Sequence, residues 1–423
     1  MTRPTTSAGL LLIAAAAIAV HLPFLPFPFQ GDDFSCLDHA ARALDEPSHF
    51  FDWVLGARLR GDLAESQVAG LFRAVPKLVM MGGAWLFGVN AAPFRLLNIA
   101  LHVVAMLLVG RLAARRIGNP ATPLVASGLF GIGLGSCTSG VVHVTNLTIL
   151  LATVFLLLAI EAWERGRRRR ALVFFVPALL SHEIAVAGLL LLPFLAGAGA
   201  RWQRLGRPLL AGALVLLALG AALLPAGEPR EVARNEIEQS CFLVLPLNPP
   251  REETIEKAGL GEGALTGLAA RGADAIVRHR LAIGSAFLLA SLLAVIAVGR
   301  GSARTAASGS SGILLAVAWV YAFLLPVSIL MAYHGEVGPL WESGWMQRRY
   351  LYIPGIGAAL LAASGLSRLW QSRRRVAVSA GVVLCIWVLG MDGVSWLGQR
   401  ANRVENLRRQ SELREELSRR ASP

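Results

Sequence analysis

Charge is scarce in this sequence. Only 16% of its 423 residues are Asp, Glu, Lys or Arg, against 55% hydrophobic, and the mean hydropathy is +0.57. A soluble domain of this size covers its apolar side chains with a charged surface. There is too little charge here to make one, so the composition excludes a soluble globular enzyme and predicts an integral membrane protein. Cysteine is sparse as well: four residues without Cys-x-x-Cys spacing, which excludes a zinc ribbon or a redox dithiol. No Walker-type glycine loop and no Rossmann fingerprint occurs, so nothing predicts a nucleotide-driven pump. Acids are the rarer sign, 27 against 40 basic residues, for a formal net charge of +13. That excess does not read as a nucleic-acid footprint, because the arginines fall in short runs between apolar segments, where they set topology.

What the chain does have is a series of long apolar runs. A hydrocarbon core about 30 Å thick takes roughly 20 residues per helix. Candidate spans lie at 9–27, 94–112, 123–135, 147–163, 208–224, 281–298, 312–331, 350–366 and 376–391. The run 171–197 is too long for one upright helix and too short for two full ones, and arginines flank it on both sides. Positive charge at both ends favours a tight hairpin turning near Ser181-His182-Glu183. The expected fold is therefore all-α: a polytopic helical membrane protein of about eleven transmembrane helices, its N-terminus in the cytoplasm. Residues 1–394 form the transmembrane domain and 395–423 a short basic helical tail on the outside. The clusters at 111–116, 165–170, 201–207, 300–304 and 368–375 then all face the cytoplasm, whereas the basic tail runs against that rule. The first segment has the basic start of a signal peptide but no small-x-small cleavage site, and reads as an uncleaved helix.

This topology leaves external loops at 30–93, 226–280 and 333–349. The first carries Asp32, Asp33, Asp38, Asp45, Glu46, Asp52, Asp62 and Glu65. Ser35-x-x-Asp38 reads as a helix start, and the apolar stretch 75–89 as a helix lying at the interface or dipping into it. The second loop surrounds Pro246-Leu247-Asn248-Pro249-Pro250 and is expected to hold an amphipathic helix.

Several polar residues need a reason in such a setting. Adjacent Asp32 and Asp33 repel each other, and serve either as an acid/base or cation site or as the charged start of a loop helix. Arg95, Asn98 and His102 share one face of a helix, while Arg73 and Lys77 repeat the four-residue spacing. Cations at a lipid interface hold a phosphate or snorkel to headgroups, the reading favoured for Lys77. His182 and Glu183 interrupt an apolar run, as a functional pair or as a cap at the hairpin turn. His143 reads more weakly, as a helix start. Arg348 and Arg349 sit at the outer end of a span, where something anionic should hold them, beside the interfacial Tyr350 and Tyr352. Cys36, Cys137 and Cys241 map to the external side, open between a disulfide and buried thiols.

The order of these motifs resembles the polytopic glycosyltransferases of superfamily C. The likeness is to the protein O-mannosyltransferase group and the bacterial relatives of the transmembrane tetratricopeptide-repeat mannosyltransferases. It rests on Asp32-Asp33 after the first helix, Phe72-Arg73-Ala74-Val75-Pro76, the stretch from Phe94-Arg95 through Asn98 to His102, Ala178-Leu179-Leu180-Ser181-His182-Glu183, and Arg348-Arg349-Tyr350-Leu351-Tyr352-Ile353-Pro354. The resemblance implies a hexosyl transfer from a polyprenyl-phosphate-linked sugar to a protein, lipid or glycan acceptor. The reaction would invert the sugar carbon at the outer face of the cytoplasmic (inner) membrane. It makes Asp32 or Asp33 the base and places Arg73, Arg95, His102 and Arg348 or Arg349 around the lipid phosphate, with Asn98, His143, His182, Glu183, Tyr350 and Tyr352 in support. No cofactor is implied beyond a divalent cation at Asp32/Asp33 in the metal-using members. The stretch Gly133–Gly140 lacks the His and Glu that such relatives carry there. Two rival readings are a catalytically silent envelope scaffold and a transporter of lipid-linked sugars.

Overall fold

The computed structural model describes residues 4–55, 73–117, 119–132, 141–195, 310–333, 351–372 and 403–421, with scattered helical positions between 282 and 289 and between 375 and 381. Among the described residues every regular element is a helix. These are α1 (Pro4–His21), α2 (Asp32–Asp45), α3 (Pro47–Leu55), α4 (Ala74–Phe87), α5 (Ala91–Arg116), α6 (Thr122–Ile132), α7 (Leu147–Glu164), α8 (Arg168–Ser181), α9 (Ser310–Tyr333), α10 (Tyr352–Ser372) and α11 (Arg403–Ala421). Short 3-10 segments cover Leu22–Phe24, Val144–Asn146 and Glu183–Leu191, and a final turn covers Leu192–Leu195.

Three of these helical stretches are long and apolar enough to cross a membrane: Ala91–Arg116, Val144–Glu164 and Tyr352–Trp370. The second is the most enclosed, with 83% of its most apolar window buried against 56% for the other two, so α7 runs through the middle. The outward faces are not polar, as they would be in water. Leu96, Leu97 and Val104 on α5, and Leu172, Val173 and Val176 on α8, are exposed, the pattern of a surface turned to lipid. The interior is built around Trp319, Phe323, Tyr352, Phe130, Met106 and Leu150, where α5, α6, α7, α9 and α10 meet.

The expected spans at 94–112, 147–163, 312–331 and 350–366 correspond to α5, α7, α9 and α10. The segment expected at 123–135 is described as the 11-residue α6. The turn expected near Ser181-His182-Glu183 is present, because His182 adopts extended backbone (φ −161°, ψ 131°) and ends α8, but the second arm is 3-10 rather than α. The helix expected from Ser35 begins instead at Asp32. The expected span at 208–224, the loop 226–280, residues 334–350 and the cysteines 137, 241 and 385 lie outside the described residues. So do nearly all of 281–298 and 376–391, and the count of eleven is not reached by what is described.

Two ends of the bundle differ in chemistry. At the C-terminal ends of α5 and α7, Glu161 takes ion pairs from Arg111, Arg115 (3.1 Å) and Arg165 (2.6 Å), and Glu164 from Arg115 (2.7 Å) and Arg116 (2.6 Å). Arg95 and Arg115 are 20 residues apart on one helix, roughly 30 Å at 1.5 Å per residue, about the thickness of a hydrocarbon core. The opposite end carries α2, α3 and α4, which pack on one another; α2 also receives α11. The α9–α10 pair approaches closely at Gly357, where a Cβ would lie 2.7 Å from the Ala316 carbonyl oxygen and 2.9 Å from the Val320 nitrogen. Backbone atoms cannot swing aside, so the glycine sets the helix separation. Gly357→Ala is expected to cost about 1–3 kcal/mol, read as a lowered unfolding midpoint in detergent.

Candidate active site

The site grows from breaks in the helices. α1 ends at His21, and the chain runs through prolines 23, 26 and 28 to Gly31, whose φ of +49° is a conformation that side-chain-bearing residues avoid. α2 therefore starts abruptly, with Asp32 and Asp33 in a first turn whose dipole favours negative charge. A second break lies at His143, between the helical Val141 and Val142 and the 3-10 turn before α7.

Asp33 joins the two breaks. It is fully buried, and its two carboxylate oxygens accept the backbone N–H of Gln30 (3.1 Å) and of Thr145 (2.9 Å). Arg95 works in the opposite sense across the same junction. Its Nε donates to the Val142 carbonyl at 2.9 Å and its Nη2 to the Pro28 carbonyl, leaving Nη1 without a hydrogen-bond partner among the described residues. One turn further along α5, Asn98 Nδ2 donates to the carbonyls of Val141 (3.2 Å) and His143 (2.9 Å). A turn beyond that, His102 lies between the Gly131 carbonyl (2.9 Å from Nε2) and the Tyr352 hydroxyl (2.6 Å from Nδ1). A carbonyl only accepts, so Nε2 carries the proton and Nδ1 accepts from Tyr352.

Beside this frame lies a cleft of about 580 Å³, counting its open mouth, whose lining includes Asp32, Arg73, Lys77, Thr148 and His182 over Trp53 and Met80. Arg73, at the start of α4, forks onto Glu183 with Nε–Oε2 at 2.9 Å and Nη2–Oε1 at 2.5 Å, which ties α4 to the end of α8. His182 is buried, and its Nδ1 accepts from the Ile184 N–H at 3.2 Å, capping the 3-10 segment. Lys77 is buried too. Its Nζ donates to the Trp53 carbonyl at 2.6 Å and stands 5.7 Å from the Trp53 ring centroid. α4 has 14 residues and is roughly 21 Å long, too short to cross a bilayer. Burial, with Arg73 close by, pushes the Lys77 ammonium down to about 8. A carboxylate, an imidazole and two cations thus converge where one can take up a proton and the others can hold an anion.

No protein-family model, curated protein or solved structure matches the chain. The site is therefore read from its own geometry.

The structure brings Asp32, Arg73, His182 and Glu183 together, and it does not bring Arg95, Asn98 or His102 to the cleft. Arg95 and Asn98 hold backbone carbonyls and His102 lies between a carbonyl and the Tyr352 hydroxyl, a framing position in place of the expected one of Arg95 and His102 at the phosphate. His143 is half-buried at the start of the 3-10 turn, its carbonyl held by Asn98. Tyr352 is buried against His102 rather than at an interface. Arg348, Arg349 and Tyr350 lie outside the described residues. The snorkelling expected of Lys77 is corrected, because its ammonium turns inward to Trp53. Both oxygens of Asp33 are taken by backbone amides, so the adjacent pair does not present its four oxygens to a cation. Among the described residues no three His, Cys, Asp or Glu gather as a metal centre would require.

The sequence of α2 carries a further pattern. The buried positions of α2 are Asp33, Cys36, Leu37, Ala40 and Ala43, a helical stripe of spacing three and four. Asp33 lies near the centre of the stripe and Asp32 at its edge, four residues before Cys36. Asp33→Asn replaces an acceptor by an NH₂ facing a backbone N–H, at an expected cost of about 1–3 kcal/mol in stability. Asp32→Asn, at the edge of the stripe and lining the cleft, should lower the unfolding midpoint less than Asp33→Asn in the same detergent melts.

Proposed function

We propose that the chain is a glycosyltransferase of the inner membrane, moving a sugar from a polyprenyl-phosphate donor to an acceptor hydroxyl outside the cytoplasm, with Asp32 as general base. The observation that carries this is the convergence of Asp32 with Arg73, Lys77 and His182 in one cleft, at the end of an apolar bundle remote from its arginine-rich end. The positive-inside rule puts that arginine-rich end in the cytoplasm and the cleft outside. The ordered motifs resembling superfamily C support the same reading.

Asp32 takes the proton of the acceptor hydroxyl as that oxygen bonds to the anomeric carbon. The bond from the anomeric carbon to the phosphate oxygen breaks on the opposite face, so configuration inverts. The electron pair leaves with the polyprenyl phosphate, whose growing charge Lys77 and Arg73 stabilise. Glu183 holds Arg73 in place by the two-point fork, and the polyprenyl chain lies against the apolar outer faces of the helices. Arg348 and Arg349 are assigned to the same phosphate by the resemblance alone. The acceptor is a protein, lipid or glycan hydroxyl.

The test is transfer from a panel of radiolabelled polyprenyl-phosphate sugars to acceptors in purified envelope. Asp32→Asn should lower kcat by at least about a hundredfold while donor binding persists; undiminished transfer would contradict the assignment. Lys77 loses its charge as pH rises through about 8, so donor affinity should decline across that window. Lys77→Arg should move the decline to higher pH, because a guanidinium stays protonated, and a profile identical to that of the native protein would remove Lys77 from the phosphate site.

A further inference from the structure

We propose that Gln410, on the C-terminal helix α11, is a positioning residue for Asp32: its single amide fastens the loop that launches α2 to the turn that ends α4. Its Oε1 accepts the backbone N–H of Phe29 at 3.2 Å, and its Nε2 donates to the Val89 carbonyl at 2.8 Å. These contacts reach back across 381 and 321 residues of sequence. α11 is seated by more than this amide: Leu413 is buried in the cluster with Phe29, Leu37, Trp53 and Phe94, and the Arg403 guanidinium stands 5.9 Å from the Phe27 ring.

The two tethered points matter because each adjoins a helix that supplies a wall of the cleft. Phe29 lies three residues before Asp32, in a stretch that is not helical and whose backbone groups need partners. Three successive residues find them differently: the Pro28 carbonyl takes Arg95, the Phe29 N–H takes Gln410, and the Gln30 N–H takes Asp33. Gln410 supplies the one link in this row that comes from outside the membrane-spanning helices and their first loop. Val89 follows Gly88, whose φ of +54° closes α4, the helix that presents Lys77 and Met80 to the cleft. A residue that accepts on one side and donates on the other is required, which an amide does and neither a carboxylate nor a thioether does. The basic tail thereby sets the spacing between the α2 and α4 walls. Small displacements of a catalytic group are costly, so loss of the clamp should fall on turnover rather than on binding.

This inference rests on the reading of Asp32 as the base, and the test separates the two. Full-length protein carrying Gln410→Met, of similar shape but without the two hydrogen bonds, is compared with Gln410→Glu, which keeps the acceptor and loses the donor. Glu412→Gln, on the same helix at an exposed position, serves as control. Backbone hydrogen exchange of the peptide spanning 27–34 is followed by mass spectrometry, beside kcat and donor KM in the transfer assay. The expected result for Gln410→Met is exchange faster by about tenfold and kcat lower by about tenfold, with KM unchanged and the control like the native protein. Gln410→Glu retains the acceptor for Phe29 but sets a carboxylate oxygen against the Val89 carbonyl, so it too should speed exchange and lower kcat. Unchanged exchange in Gln410→Met would overturn the clamp whatever the activity. Faster exchange with native kcat would overturn the positioning role. Absence of turnover in the native protein, with every donor tried, would overturn the transferase reading and the positioning role with it, while the exchange data would still decide whether α11 holds the loop.

Discussion

The fold depends on one polar face of α5 meeting broken backbone inside an otherwise apolar bundle. In water an interrupted helix satisfies its free carbonyls with solvent, but in hydrocarbon each open carbonyl is expensive, and irregular chain persists only where protein groups answer it. Arg95, Asn98 and His102 do this for Pro28, Gly131, Val141, Val142 and His143. Asp33 answers the complementary amides of Gln30 and Thr145. Donors and acceptors alternate across the junction, so the two breaks hold each other.

From that junction follows the division between the two aspartates. Neighbours on a helix point about 100° apart, so when one is drawn inward to satisfy amides the next is turned aside, here into the cleft. The same junction brings the start of α7, the start of α4 and the turn at His182 around Asp32, and the Arg73–Glu183 fork closes that ring. At the far end of α5 and α7 the chemistry is reversed, with arginines in excess over Glu161 and Glu164. A bundle with a mixed-charge cleft at one end and a cationic collar at the other suits a reaction confined to one side of a membrane.

Much of this was legible in the sequence, and the limits are physical. Apolar run length locates α5, α7, α9 and α10 to within a few residues, because lipid imposes a length on a helix. Spacing also places Arg95, Asn98 and His102 on one face. It says nothing of what that face meets, and so Arg95 and His102 read as phosphate ligands, with Asn98 in support, when their partners are carbonyls of distant segments and the Tyr352 hydroxyl, 250 residues from His102. The pairing of Arg73 with Glu183, across 110 residues, and the reach of Gln410 across the whole chain are tertiary facts that no local pattern encodes. A lysine at an apolar interface usually turns to headgroups, whereas α3 offers Lys77 the Trp53 carbonyl instead. The stripe of α2 leans toward Asp33 as the inner of the two aspartates, once the helix is started at Asp32 rather than at Ser35.

The most direct measurement is photo-crosslinking of the membrane-embedded protein with a polyprenyl phosphate bearing a photoreactive group beside the phosphate, the adducts being mapped by mass spectrometry. The account requires adducts on the cleft walls, within 32–53, 73–80 and 145–149, competed away by unlabelled polyprenyl phosphate. Adducts confined to the arginine-rich end, at 111–116 and 161–170, or spread along the helices without competition, would contradict it.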